Sequence, residues 1–180
     1  MTDHNQQLCT FSVASYTFGV EVNKVQEVLR FQQMTRVPLA PWVVRGLINL
    51  RGQIVTAIDL RRRLGLPDAP PEISPMSVIL RTEQGAVSLL VDKIGDVREV
   101  QRELFEPPPP TLRDLARDMI RGVYKLPDRL LILLDADQAI ASAVARAKNP
   151  TPARGESTHG KVGNANGAAT KDSRTDGRSS

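Results

Sequence analysis

Cysteine occurs once in this 180-residue chain, at Cys9, which excludes an internal disulfide and any multi-cysteine metal cluster. A small buried hydrophobe is the expected role of that thiol. Aromatic side chains make up only 4% of residues against 41% hydrophobic overall, so the core is expected to be aliphatic, with Phe11 and Phe18 as its anchors. No apolar run approaches the ~20 residues that span a bilayer, and the opening MTDHNQQ lacks the basic and apolar regions of a signal peptide. Both absences predict a cytoplasmic protein. Histidine is nearly missing, and His4 and His159 lie in the polar ends. With no Gly-rich phosphate loop or zinc spacing either, neither an enzyme nor a bound cofactor or metal is expected.

Charge of one sign is also scarce where it would count. The net charge is +4, but residues 147–180 hold six basic and three acidic side chains, leaving 18 basic and 17 acidic in residues 1–146. A nearly neutral folded part argues against a nucleic-acid surface.

What is present is a succession of short β-prone runs. Residues 9–13 and 15–22 read as strands around a polar break, and 25–31 as a third after Asn23-Lys24. Residues 47–50 and 54–58 flank Arg51-Gly52-Gln53, where Gly52 can take the positive φ of a tight turn, and predict a buried hairpin. Pro38 and Pro41 hold the preceding connection extended. Asp59 is placed to cap a helical turn, Leu60 to Leu64, ending at Gly65. The proline-rich LPDAPPEISPM is a loop. Residues 77–81 and 86–91 predict a second hairpin, 94–100 a further strand, and 124–126 with 130–134 a third hairpin. Between them, 106–110 is a polyproline spacer and 112–119 a short helix capped by Thr111; Asp135 caps a C-terminal helix over 136–148. One folded unit is therefore expected over 8–148, followed by a disordered tail, 149–180, that has almost nothing to bury.

The strand pattern occurs twice. FGVEVNKVQEV at 18–28 lies over VSLLVDKIGDV at 87–97, offset by 69, and RGLINLRGQIVTAID at 45–59 over RGVYKLPDRLLILLD at 121–135, offset by 76. Two passes in the same order, differing by a seven-residue insertion where the proline run sits, argue for two similar β subdomains.

The run GLINLRGQIVTAIDLR, from Gly46 to Arg61, resembles the signature of the CheW family, the coupling proteins of bacterial chemosensory arrays. The resemblance extends over roughly Thr10 to Ala141 through FGVEVNKVQEVL, VSLLVDKIGDV and LLILLDADQAI. One departure is Thr56-Ala57, where the family usually has Pro followed by a β-branched residue. It implies a mainly β fold of two SH3-like β-barrel subdomains with short helices. It further implies a non-enzymatic adaptor linking methyl-accepting chemotaxis receptors to a CheA-type histidine kinase, recruited from the cytoplasm to membrane-associated receptor arrays. On this chain the receptor groove would fall to Val25, Glu27, Val28 and Val97, with Gly46, Arg51 and Gly52 shaping the adjoining hairpin, and kinase contact to Val37 and Leu39.

Other readings stay beside this one. A related adaptor in another chemosensory pathway, such as pili-based motility, would share the fold. A nucleic-acid protein would use Arg61-Arg62-Arg63 and the basic tail, although adjacent arginines on a short helix point apart and a solvated face is the simpler expectation. Asp59, Asp92 and Asp135 each close an apolar strand, where structural capping is expected over an acidic site. Arg51 is either functional or a guanidinium tying loop carbonyls together. Trp42 is left open between core and partner surface.

Overall fold

The computed structural model describes residues 5–110, 112 and 118–145, the side chains of 142–145 excepted. Eleven strands run in chain order: β1 Asn5–Val13, β2 Tyr16–Glu21, β3 Val25–Leu29, β4 Val44–Leu50, β5 Gln53–Asp59, β6 Met76–Thr82, β7 Gly85–Val91, β8 Lys93–Gln101, β9 Phe105–Glu106, β10 Ile120–Lys125 and β11 Leu130–Leu134. Among the described residues the α-helices are α1 Leu60–Arg63 and α2 Ala136–Ala145, with single 3-10 turns at Val22–Lys24 and Arg102–Leu104. The expected tail, and residues 146–148 of the expected C-terminal helix, lie outside the described residues. So does most of the expected 112–119 helix; Asp118 and Met119 form a turn into β10.

The strands make one six-stranded sheet, ordered β8-β1-β2-β11-β10-β9, and one five-stranded sheet, ordered β3-β6-β7-β5-β4. Two similar β units are therefore present, but neither is one pass of the repeat. The first sheet takes β1 and β2 from pass one and β8 to β11 from pass two; the second takes β3 to β5 from pass one and β6 and β7 from pass two. The parallel pairings that weld each unit are repeat mates: Ile132 pairs Phe18 in one sheet, and Thr56 pairs Val87 in the other.

The near-continuous apolar runs of the inner strands follow from burial on both faces. Along β11, Ile132 and Leu134 enter a core shared between the sheets, while Leu131 and Leu133 join Leu8, Val100 and Tyr124 in a smaller core inside the first unit. On β7, Val87, Leu89 and Val91 enter the shared core, and Leu90 joins Ile48 and Ala57 inside the second unit. Side chains alternate across a strand, so two buried faces call for apolar residues at nearly every position, the small Ser77 on β6 and Ser88 on β7 being buried exceptions. Phe11 and Phe18 stack in the shared core with ring centroids 6.0 Å apart. Cys9 is buried beside them, and burial pushes its thiol pKa up. Both helices dock there too, through Leu60, Ala136, Ala139 and Ile140.

The carboxylates at strand ends are structural. Asp59 accepts from the Arg62 N–H (3.2 Å) and Asp135 from the Gln138 N–H (3.0 Å), each opening a helix. Asp92 caps across the fold, accepting from the Ala14 N–H (2.7 Å) in the β1–β2 turn and from Arg61 at 2.7 and 2.6 Å. Burial alone would raise the Asp92 pKa, but these bonds outweigh it and hold the carboxyl below its ordinary range. Asp137 does the same for the other hairpin, accepting from the Glu83 N–H (3.0 Å) and Lys24 (2.9 Å). The Lys24 bond holds its pKa down against burial.

The arginine triplet is not a solvated face. Arg61 is bound to Asp92 and the Pro67 carbonyl, Arg62 to the Trp42 carbonyl and Asp68, and Arg63 is buried. Their charge is spent on anchoring α1 and its loops, which removes the main feature of the nucleic-acid reading.

Candidate functional site

The Gly46–Arg61 signature folds as β4, a two-residue turn, β5 and α1. Arg51 (φ 52°) and Gly52 (φ 86°) both take left-handed geometry, the backbone of a type I′ turn, whose twist matches that of its flanking strands. Asn49 tightens it by accepting from the Gly52 N–H (2.9 Å). The hairpin is half-buried, contrary to the buried one expected: β4 is a sheet edge and Ile54 is 61% exposed, while Ile48, Val55 and Ala57 face inward. Runs of β-branched residues signal a strand but not which face is covered.

Gly46 is required by a close approach. A Cβ there would stand 2.6 Å from the Thr35 carbonyl oxygen, because residue 35 crosses the β4 edge and exchanges hydrogen bonds with Leu47 (2.9 and 2.8 Å). Its repeat mate Gly122 is crossed likewise by β9, where a Cβ would meet the Phe105 ring at 2.3 Å. The crossing delivers the loop bearing Val37 and Leu39. Leu39 takes φ 60° and is fully exposed, Val37 is partly exposed, and Trp42 is 60% exposed. Trp42 is thus a surface residue.

Arg51 reaches across the second unit. Its Nη2 donates to Glu27 Oε2 (3.1 Å) on β3, although β3 and the β4–β5 hairpin occupy opposite edges of the sheet. The sheet curls until its edges meet, and the ion pair spans the gap. The guanidinium therefore binds a carboxylate rather than loop carbonyls, and its side chain remains 81% exposed. Val28, next along β3, is also exposed.

Glu27, Arg51 and Gly52 are thereby brought together beside Val28. Val25 and its repeat mate Ile94 pack against the shared core. Val97, the mate of Val28, is 58% exposed on β8, the edge of the other sheet. Only the family resemblance singled out Glu27, and no local pattern told its partner: Arg51 is 24 residues away and is found only by closing the barrel.

The family profile described as "CheW-like domain" matches residues 7–144. The chain is 30% identical over 142 residues to the chemotaxis protein CheW of Rhizobium meliloti (strain 1021), covering 79% of this chain and 92% of that protein. It is 31% identical over 137 residues to the chemotaxis protein CheW of Klebsiella aerogenes, covering 76% and 82%. The crystal structure of the scaffolding protein TtCheW from Thermoanaerobacter tengcongensis superposes with a TM-score of 0.69 at 27% identity, over 74% of this chain and 91% of that one.

Proposed function

The chain belongs to the CheW-like family of chemotaxis scaffolds, and from that premise we propose that it is a non-enzymatic adaptor coupling chemoreceptors to a CheA-type histidine kinase. It works in the cytoplasm, drawn to membrane-associated receptor arrays, and the working unit is residues 8–148. The observation that carries this reading is the Glu27–Arg51 pair on the strand that bears Val28, its guanidinium exposed and its carboxylate mostly buried, a charged clasp at the rim of a strand edge. Apolar residues at such an edge supply contact area, and a paired rim charge fixes orientation. A helix lying in a groove is a common recognition mode and suits the tip of a receptor coiled coil.

In this reading Val25, Glu27, Val28 and Val97 receive the receptor, and Gly46, Arg51 and Gly52 hold the hairpin that frames it. Val37 and Leu39, on the loop across β4, meet the kinase; Leu39 in left-handed geometry is held outward with no protein covering it. An affinity pull-down from the native cytoplasm tests the assignment, with kinase and receptors expected in the eluate. Val37→Asp or Leu39→Asp should then lose the kinase and keep the receptor. Retention of the kinase by both folded variants would place that contact elsewhere.

A further inference from the structure

We propose that the open mouth of the first β unit, lined by β1, β2, β8 and β11, is a binding pocket for a small oxyanion, a phosphate or carboxylate group carrying one or two charges. The pocket has a volume of about 210 Å³ and is lined by Thr10, Ser12, Thr17, Lys93, Arg98 and Arg129, among others. That is below the roughly 300–1,000 Å³ of pockets for drug-sized ligands, so it suits a small group.

The inner face of β1 reads Leu8, Thr10, Ser12: leucine where the small core is closed, hydroxyls where it opens. Two cations then face the same opening because of a β-bulge. Lys93 and Arg98 are five apart and would point to opposite faces of a regular strand. The register of β8 on β1 shifts between Cys9 and Phe11, so Gly95 and Asp96 together oppose Thr10, and Lys93 pairs Ser12 while Arg98 pairs Leu8 on one face. Thr10 Oγ1 pins the bulge by donating to the Asp96 carbonyl (2.6 Å), and a Cβ at Gly95 would stand 2.5 Å from that hydroxyl.

Among the described residues neither the Lys93 nor the Arg98 side chain makes a hydrogen bond or close ion pair, although Asp128, paired with Arg129, lies near enough to feel the Arg98 charge. With Asp96 also on the rim, the local excess of positive charge is small, which favours a compact anion over a polyanion. The repeat supplies an internal control for whether the fold demands this lining. At an offset of 69, Thr10 is matched by Ile79, Thr17 by Ala86 and Arg98 by Leu29, and Lys24, the mate of Lys93, is tied to Asp137. Ser12 and Lys93 are both matched by polar residues, Arg81 and Lys24. The same architecture is thus built elsewhere in the chain without the hydroxyls, without a counterpart of Arg98 and with the counterpart of Lys93 tied up in an ion pair. The pocket is also separate from the adaptor surface: Val97 pairs Cys9 and faces the side of β8 opposite to Arg98.

Titrating the full chain with inorganic phosphate, followed by amide NMR against potassium chloride at equal ionic strength, tests the proposal. Saturable shifts confined to residues 10–12, 17, 93–98 and 126–131 are expected. Arg98→Gln should weaken binding about tenfold, in line with loss of one charge-assisted hydrogen bond. Lys93→Gln should weaken it similarly, Arg129→Gln less, and Val97→Asp not at all. Shifts that chloride reproduces, shifts that do not saturate, or an undiminished affinity in a folded Arg98→Gln variant would overturn it.

Discussion

Arg51 occupies the first central position of a type I′ turn, where asparagine or glycine is preferred because φ is positive. The Arg51 side chain is mostly exposed, so its bond to Glu27 is worth about 0.2–1 kcal/mol, comparable with the cost of left-handed geometry at a residue with a long side chain. The two nearly cancel. Arg51→Asn is therefore expected to change stability by less than about 1 kcal/mol in denaturant titration while weakening receptor binding. A loss of stability well beyond that would make Arg51 a structural residue. The turn itself was legible from Gly52 and the β-branched flanks; the ion pair was not, because no local pattern tells which of many carboxylates a curled sheet brings to the hairpin tip.

Among the elements, α1 and its anchor show how far strand-end carboxylates go. Capping by Asp59 and Asp135 was readable from their places before helical segments, whereas the Asp92 contact with the β1–β2 turn joins residues 78 apart and needed the fold. Asp92 and Arg61 side chains are each 11% exposed. Asp92→Asn removes one charge of a mostly buried pair, for which roughly 3–5 kcal/mol is typical, and about 3 is expected here since asparagine keeps an acceptor for the Ala14 N–H. The pH dependence has a definite sign. The pKa values of Asp92 and Asp137 are lowered on folding, so the folded state binds fewer protons there; their stabilisation is complete above the unfolded carboxylate value of about 4 and is lost as pH falls through the lowered folded values. Thermal melts from pH 7 down to 3 should therefore show an acid loss that is shallower in Asp92→Asn. An equal acid slope in the variant would show that this carboxylate does not carry the effect.

For the whole molecule, the repeat was visible at fixed offsets, yet its consequence was not. Sequence similarity between passes says that two like units exist; which strands join each unit depends on the parallel pairings β2–β11 and β5–β7, which no local signal encodes. Because the passes are interleaved, a cut in the proline loop between β5 and β6 leaves fragments that each lack strands of both sheets. Residues 1–69 and 70–148 are expected to be unfolded separately and to fold when mixed, as followed by far-ultraviolet circular dichroism. A cooperative melt from either fragment alone would contradict the interleaved topology.

The proposed adaptor surface would span the same interleaving, since Val28 and Val97 are exposed repeat mates on edge strands of different sheets. In the proposed function the chain transmits receptor occupancy to the kinase through both. The most direct test is kinase autophosphorylation on receptor-containing nanodiscs, with and without this protein. Receptor control is expected only when the protein is present, is expected to be lost with Val28→Asp and with Val97→Asp while kinase binding persists, and is expected to be only mildly reduced by Glu27→Ala. Receptor control that survives in a folded Val97→Asp variant would contradict a two-sided surface, and control that needs no adaptor at all would contradict the proposed function.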